Sequence, residues 1–139
     1  MNRKVVLMTM TVFAVALAGW FFSRQSGNDM LTPTEVQEKI DADSTIVLLD
    51  VRTPSEWESA TGHLRGALLI PVQELAGRIE ELDPYKHRPM IVYCRTQNRS
   101  AHAASFLKEH GFNVTAMAGG ITRWNSEDRP VVHESLEGE

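Results

Sequence analysis

Four short, mainly apolar runs, Thr45–Leu49, Ala67–Ile70, Pro89–Tyr93 and Phe112–Met117, alternate along the chain with stretches patterned for helix. This alternation restricts the fold more than any other feature, because strands separated by helices need crossover connections and therefore pair in parallel. Thr45-Ile46-Val47-Leu48-Leu49 has no polar alternate face, as expected of a strand covered on both sides. The fold class that follows is α/β, one parallel sheet with helices on both faces. In such sheets reactive groups gather beyond the carboxyl ends of the strands. Asp50 and Cys94 both stand at such ends.

The helical stretches carry their own punctuation. Thr32-Pro33-Thr34-Glu35 is a capping box with proline at the first helical position, which starts a helix running to about Ile40. Val72, Leu75, Ala76, Ile79 and Leu82 have the spacing of an amphipathic helix, closed by Asp83-Pro84. Ser100–His110 reads as a helix with Gly111 as its C-terminal cap. Gly119-Gly120 reads as a tight turn before a last short helix, Ile121–Ser126, and Arg52–Gly66 as a loop rich in charge and turn formers.

Residues 1–30 differ from the rest. Arg3 and Lys4 precede an uncharged run from Val5 to Phe22, followed by a polar spacer, so the chain divides into an N-terminal export segment, 1–30, and a domain, 31–139. Two outcomes fit. Ala16-Leu17-Ala18 followed by Gly19 matches the cleavage site of a signal peptide. Uncleaved, residues 5–22 are just long enough to cross a hydrocarbon core of ~30 Å as a membrane anchor, with Trp20 at the interface. The apolar run continues past the cleavage site through Phe22, which favours the anchor. Either way Arg3 and Lys4 keep the N-terminus in the cytoplasm, and the expected location is periplasmic or on the extracytoplasmic face of the inner membrane.

Charge and cysteine usage exclude several function classes. The formal net charge is −4. Leaving out Arg3, Lys4, Arg24 and Asp29 of the first 30 residues reduces 14 basic and 18 acidic residues to 11 and 17, or −6, so nucleic acid is not an expected partner. The single cysteine, Cys94, rules out an intrachain disulfide and a multi-cysteine zinc site. His87, His102, His110 and His133 show no metal-ligand spacing, and neither metal nor cofactor is expected. Cys94 is followed by Arg95-Thr96-Gln97-Asn98-Arg99-Ser100, a polar loop that enters a helix. Backbone N–H groups and the positive end of a helix dipole then surround the sulfur, with two arginines close in sequence, and this favours the thiolate over the thiol. A merely structural cysteine finishing a strand has no need of such a loop.

Leu48-Leu49-Asp50-Val51-Arg52 with Glu56-Trp57, the turn Gly62-His63-Leu64-Arg65-Gly66-Ala67, the loop Cys94–Ser100, and Gly119-Gly120 with Trp124 form four patches. Together they resemble the rhodanese family of sulfurtransferases. The resemblance runs from about Leu31 to Val131. It implies a rhodanese-like domain whose cysteine, Cys94, takes a sulfane sulfur from thiosulfate or a persulfide donor, holds it as a persulfide and passes it to cyanide or a thiol, small or protein-borne. Arg95, Thr96, Gln97, Asn98, Arg99 and Ser100 are the implied substrate-binding residues, and the two arginines are suited to attract dianionic thiosulfate.

The spacing Cys94-x4-Arg99 resembles sulfur-transferring members, whereas related phosphatases need one more residue to cradle a tetrahedral phosphate. Many family members have glycine where this chain has Gln97. A left-handed backbone there costs a glutamine roughly 1 kcal/mol, so the loop either bears that cost or adopts another geometry. The resemblance places His63 in a structural turn and Asp50 in bracing the loops with Arg52 and Glu56. A sulfur carrier without small-molecule turnover, or a non-enzymatic protein-binding module, is the alternative.

Overall fold

The computed structural model describes residues 30–136. Its elements, in chain order, are α1 (Pro33–Ala42), β1 (Val47–Asp50), α2 (Pro54–Trp57), β2 (Leu68–Leu69), α3 (Leu75–Arg78), a 3-10 helix (Ile79–Tyr85), β3 (Met90–Tyr93), α4 (Asn98–Glu109), β4 (Val114–Ala116) and α5 (Gly120–Ser126). The four strands form one parallel sheet in the order β2-β1-β3-β4. Every residue of β1 and β3 is buried, as two central strands demand. Their register pairs Val47 with Met90 and Asp50 with Tyr93, so Asp50 and the start of the Cys94 loop lie side by side at one edge.

Alternation along the strands sends side chains to two cores. Val47, Leu49, Met90, Val92 and Cys94 face Leu75, Leu82, Ala103, Ala104 and Leu107 of α3, the 3-10 helix and α4. Leu48, Ile91 and Tyr93 face Val36 of α1 and Ile121 and Trp124 of α5. The expectation of helices on both faces is met. Burying side chains of this size contributes about 1.5–3 kcal/mol each.

The stretch 72–82 departs from a single amphipathic helix. One α-turn gives way to a 3-10 helix that runs through Asp83-Pro84. Gly77 and Pro84 weaken a continuous α-helix, and tightening to three residues per turn keeps Ile79 and Leu82 on one side. The loop expected over 52–66 contains the one-turn helix α2, opened by a second capping box, Thr53 with Glu56.

The expectation of an N-terminal export segment is corrected. Among the described residues no helix is long and apolar enough to cross a membrane. The longest, α4, has 12 residues and spans about 18 Å, against the ~30 Å of a bilayer core. The run 5–22, on which the anchor and signal-peptide readings rest, lies outside the described residues. The architecture supported is an α/β parallel-sheet domain, with no anchor helix among the described residues. Membrane attachment and a periplasmic location are accordingly withdrawn.

Candidate functional site

Cys94 leaves the end of β3 in the middle of the sheet, where β3 lies between β1 and β4. Its side chain is 1% exposed. Residues 95–98 are exposed, Arg99 is half-buried and Ser100 is buried, so the loop is a rim around a recessed sulfur. The Cys94 thiol donates to Ser100 Oγ at 3.5 Å, and the Ser100 hydroxyl donates to the Gln97 carbonyl at 3.0 Å.

The N-terminus of α5 sets the direction of the loop's peptide planes. Ile121 N–H donates to the Cys94 carbonyl at 2.9 Å and Thr122 N–H to the Arg95 carbonyl at 3.1 Å. In a trans peptide the N–H points opposite to the C=O, so these bonds turn the N–H groups of Arg95 and Thr96 away from α5. The approach is close because residue 120 is glycine at φ +55°. A Cβ there would stand 2.3 Å from the Cys94 oxygen and 2.5 Å from that of Thr96. The backbone N–H groups of residues 95–100 find no acceptor among the described residues. Those of residues 97–100 are the free donors expected at a helix start, and those of residues 95 and 96 lie in the loop that leads from Cys94 into it.

Gln97, the residue before α4, has φ −160°. With ψ −18° it lies outside the left-handed region, so the anticipated left-handed strain does not arise; the loop adopts another geometry.

The two arginines of the loop differ. Arg99 Nη1 and Nη2 each donate to Glu56 at 2.7 Å, a bidentate pair in which the Arg99 and Glu56 side chains are 30% and 26% exposed. The bonds from Arg99 draw the Glu56 carboxyl down to about 2, and those to Glu56 raise Arg99. Arg95 is exposed, and its side chain makes no hydrogen bond or ion pair among the described residues. It borders a cleft of about 270 Å³ lined by Arg52, Ser55, Glu56, Ser59 and Thr61.

Under this cleft lies a buried ion pair. Arg52 Nε contacts both Asp50 oxygens at 3.0 and 2.9 Å, and Arg52 Nη2 reaches Asp50 Oδ2 at 2.7 Å and the Gly62 carbonyl at 2.8 Å. Arg52 Nη1 donates to Thr61 Oγ1 at 2.9 Å and the Glu56 carbonyl at 3.2 Å. One guanidinium thus ties β1 to both ends of the segment 56–62, which is the bracing expected of Asp50 and Arg52. His63 is buried, stacks on Trp57 with ring centroids 3.5 Å apart, and accepts from the Glu134 N–H at Nε2. The Nδ1 proton then faces the Leu64 carbonyl at 3.2 Å, a structural use of both nitrogens.

Two contributions to the site escaped sequence reasoning. Glu56 holds Arg99, and its signal was a second Thr-Pro-x-Glu box, at 53–56. Gly120, Ile121 and Thr122 hold the loop's carbonyls, and their signal was the glycine pair that starts α5.

Comparison with known proteins agrees with this geometry. The rhodanese-like domain family matches residues 32–127. The sulfurtransferase of Allochromatium vinosum is 34% identical over 88 residues, covering 63% of this chain and 78% of its own length. MoeZ of Mycobacterium tuberculosis, whose name pairs adenylyltransferase with sulfurtransferase, is 35% identical over 102 residues, which are 72% of this chain and 25% of that protein. This chain therefore corresponds to about a quarter of the mycobacterial relative. A rhodanese-related protein from Thermoplasma volcanium superposes with a TM-score of 0.68 at 32% identity, covering 76% of this chain and 98% of the other. The chain belongs to the rhodanese-like domain family.

Proposed function

We propose that this member of the rhodanese-like family is a sulfurtransferase that carries sulfane sulfur on Cys94. In the first step the Cys94 thiolate attacks the outer sulfur of thiosulfate. A new S–S bond forms, the donor's own S–S bond breaks, and the electron pair leaves with sulfite. In the second step cyanide or a thiolate attacks the terminal sulfur of the Cys94 persulfide. Thiocyanate or a new persulfide departs, and the Cys94 thiolate is regenerated, so no external oxidant or reductant is consumed.

The observation that carries this reading is the run of N–H groups at residues 95–100, without an acceptor among the described residues, that follows a recessed thiol and leads into a 12-residue helix. Such donors favour an anion, and both the free thiolate and the persulfide are anions. Thr96, Gln97 and Asn98 serve through their backbone N–H groups at the rim. The Ser100 hydroxyl, which accepts from the thiol, turns from the Gln97 carbonyl to donate to the sulfur once the proton is gone. Arg95, the loop's cation without a carboxylate partner among the described residues, meets the sulfonate end of thiosulfate. Arg99, neutralised by Glu56, holds the loop in place rather than attracting the donor.

The test is thiocyanate formation from thiosulfate and cyanide by the full chain, with Cys94→Ser beside it and intact mass after exposure to thiosulfate. Turnover together with a gain of about 32 Da, both absent in Cys94→Ser, supports the reading. The adduct without turnover makes the chain a sulfur carrier. Neither adduct nor turnover overturns the sulfurtransferase reading in favour of a binding module.

A further inference from the structure

We propose that the C-terminal strap, residues 130–136, positions the Cys94 loop, with Trp57 as the residue through which it acts; the inference rests on the sulfurtransferase reading given above. The strap runs back over the turn at 62–63. His63 N–H donates to the Val132 carbonyl at 3.0 Å and Val132 N–H to the His63 carbonyl at 2.9 Å. Gly62 permits the approach, since a Cβ there would stand 2.8 Å from the Val132 oxygen. Further along, Trp57 Nε1 donates to the Glu134 carbonyl at 3.1 Å and Leu136 N–H to Glu58 Oε1 at 3.1 Å.

These last two bonds fall on the end of α2 and the residue after it. α2 is a single turn of four residues, too short to hold itself against the entropy of a helix nucleus. Its position is set from outside, by Arg52 bonding the Glu56 carbonyl beneath and by the strap at Trp57 and Glu58. The same turn presents Glu56 to Arg99, and Arg99 lies in the first turn of α4, directly after the loop around Cys94. A continuous path of bonds therefore runs from the strap through Trp57 and Glu56 to the loop that surrounds the nucleophile. The family match ends at residue 127, so the strap lies beyond the part of the chain that the family defines.

The test compares the full chain with two variants, a stop after Pro130 and Trp57→Phe. The second keeps an aromatic ring beside His63 and removes the N–H donor together with the pyrrole part of the indole. Each is measured for kcat and KM with thiosulfate and cyanide, and for alkylation of Cys94 by uncharged iodoacetamide, which needs no sulfur transfer. Circular dichroism establishes that each is folded. For the truncated chain we expect kcat to fall about tenfold with KM for thiosulfate within about twofold, and alkylation to accelerate about fivefold as the loop loosens. Trp57→Phe is expected to move both rates in the same directions by about two- to threefold. An unchanged alkylation rate in the folded variants overturns the proposal whatever happens to turnover. If the truncated chain does not fold, Trp57→Phe decides alone. Should the wild type turn nothing over while the alkylation difference holds, the activity reading fails and the positioning role stands.

Discussion

The same four-residue pattern, Thr-Pro-x-Glu, opens two helices of this domain and does different work in each. In α1, Thr32 accepts from the Glu35 N–H and Glu35 returns bonds to the Thr32 N–H and hydroxyl at 2.8 Å. In α2, Thr53 and Glu56 repeat that exchange. The first box starts a ten-residue helix seated on the core through Val36, and among the described residues its exposed glutamate is hydrogen-bonded only to its own cap. The second starts a single turn, and its glutamate also grips Arg99, 43 residues away. A capping box fixes where a helix begins. Whether the acid within it also builds a site depends on what the rest of the fold brings within reach.

Replacing Glu56 by glutamine is the severest challenge to this contrast. The variant keeps an acceptor for the cap but loses the bidentate charge pair, at a cost of about 1.5–3 kcal/mol in stability. Turnover should fall tenfold or more, read as kcat in the thiocyanate assay. A variant with wild-type kcat would reduce the second box to a helix cap like the first.

Arg95→Gln sharpens the division between the two loop arginines. KM for thiosulfate should rise about tenfold while kcat stays within about twofold. Arg99→Lys should do the reverse, because a lysine retains the charge but cannot make the fork of two bonds to Glu56. A KM effect from Arg99→Lys and none from Arg95→Gln would exchange their roles.

Acid titration separates the two glutamates without a change in their backbone. The folded-state value of Glu56, about 2, lies below its ordinary 4.5. The stability this carboxylate contributes is therefore fully present above pH 4.5 and is lost as pH falls toward 2. Urea unfolding midpoints across that window should drop more steeply for the wild type than for Glu56→Gln. Superimposable pH profiles would show that the Arg99 pair adds nothing in solution.

The smallest effect is expected at the first box. Glu35→Gln should leave both kinetic constants unchanged and lower the melting temperature by about 2 °C at most. A change in turnover there would mean that α1, too, reaches the site.

Much of this architecture was legible because it is written locally. The run at 45–49 identified a central strand, Thr32-Pro33 marked a helix start to the residue, and Cys94 before a polar loop implied the strand–loop–helix that is observed. What escaped depends on distant or subtle terms. The pairing of Glu56 with Arg99 is invisible to any local pattern, and α2 lay hidden in a stretch dense with turn formers. The spacing at 72–82 could not tell an α-helix from an α-turn continued as a 3-10 helix, because both place Ile79 and Leu82 on the same side. Gln97 was judged by the conformation a glycine would adopt, whereas the loop takes a negative φ at that point. The membrane reading came from residues 5–22, which lie outside the described residues, and no described helix is long and apolar enough to cross a membrane.

The hold of α5 on the loop also has a consequence in time. Cys94 is synthesised 26 residues before Gly120, so at ~5–20 residues per second the thiol exists for roughly one to five seconds before the helix that sets its peptide planes has begun to be made. Cys94 thus precedes the helix that fixes its loop during translation. On the proposed function, a nascent chain arrested anywhere before α5 carries the cysteine in sequence but not the complete site, and sulfur transfer would begin only when almost the whole domain has been made.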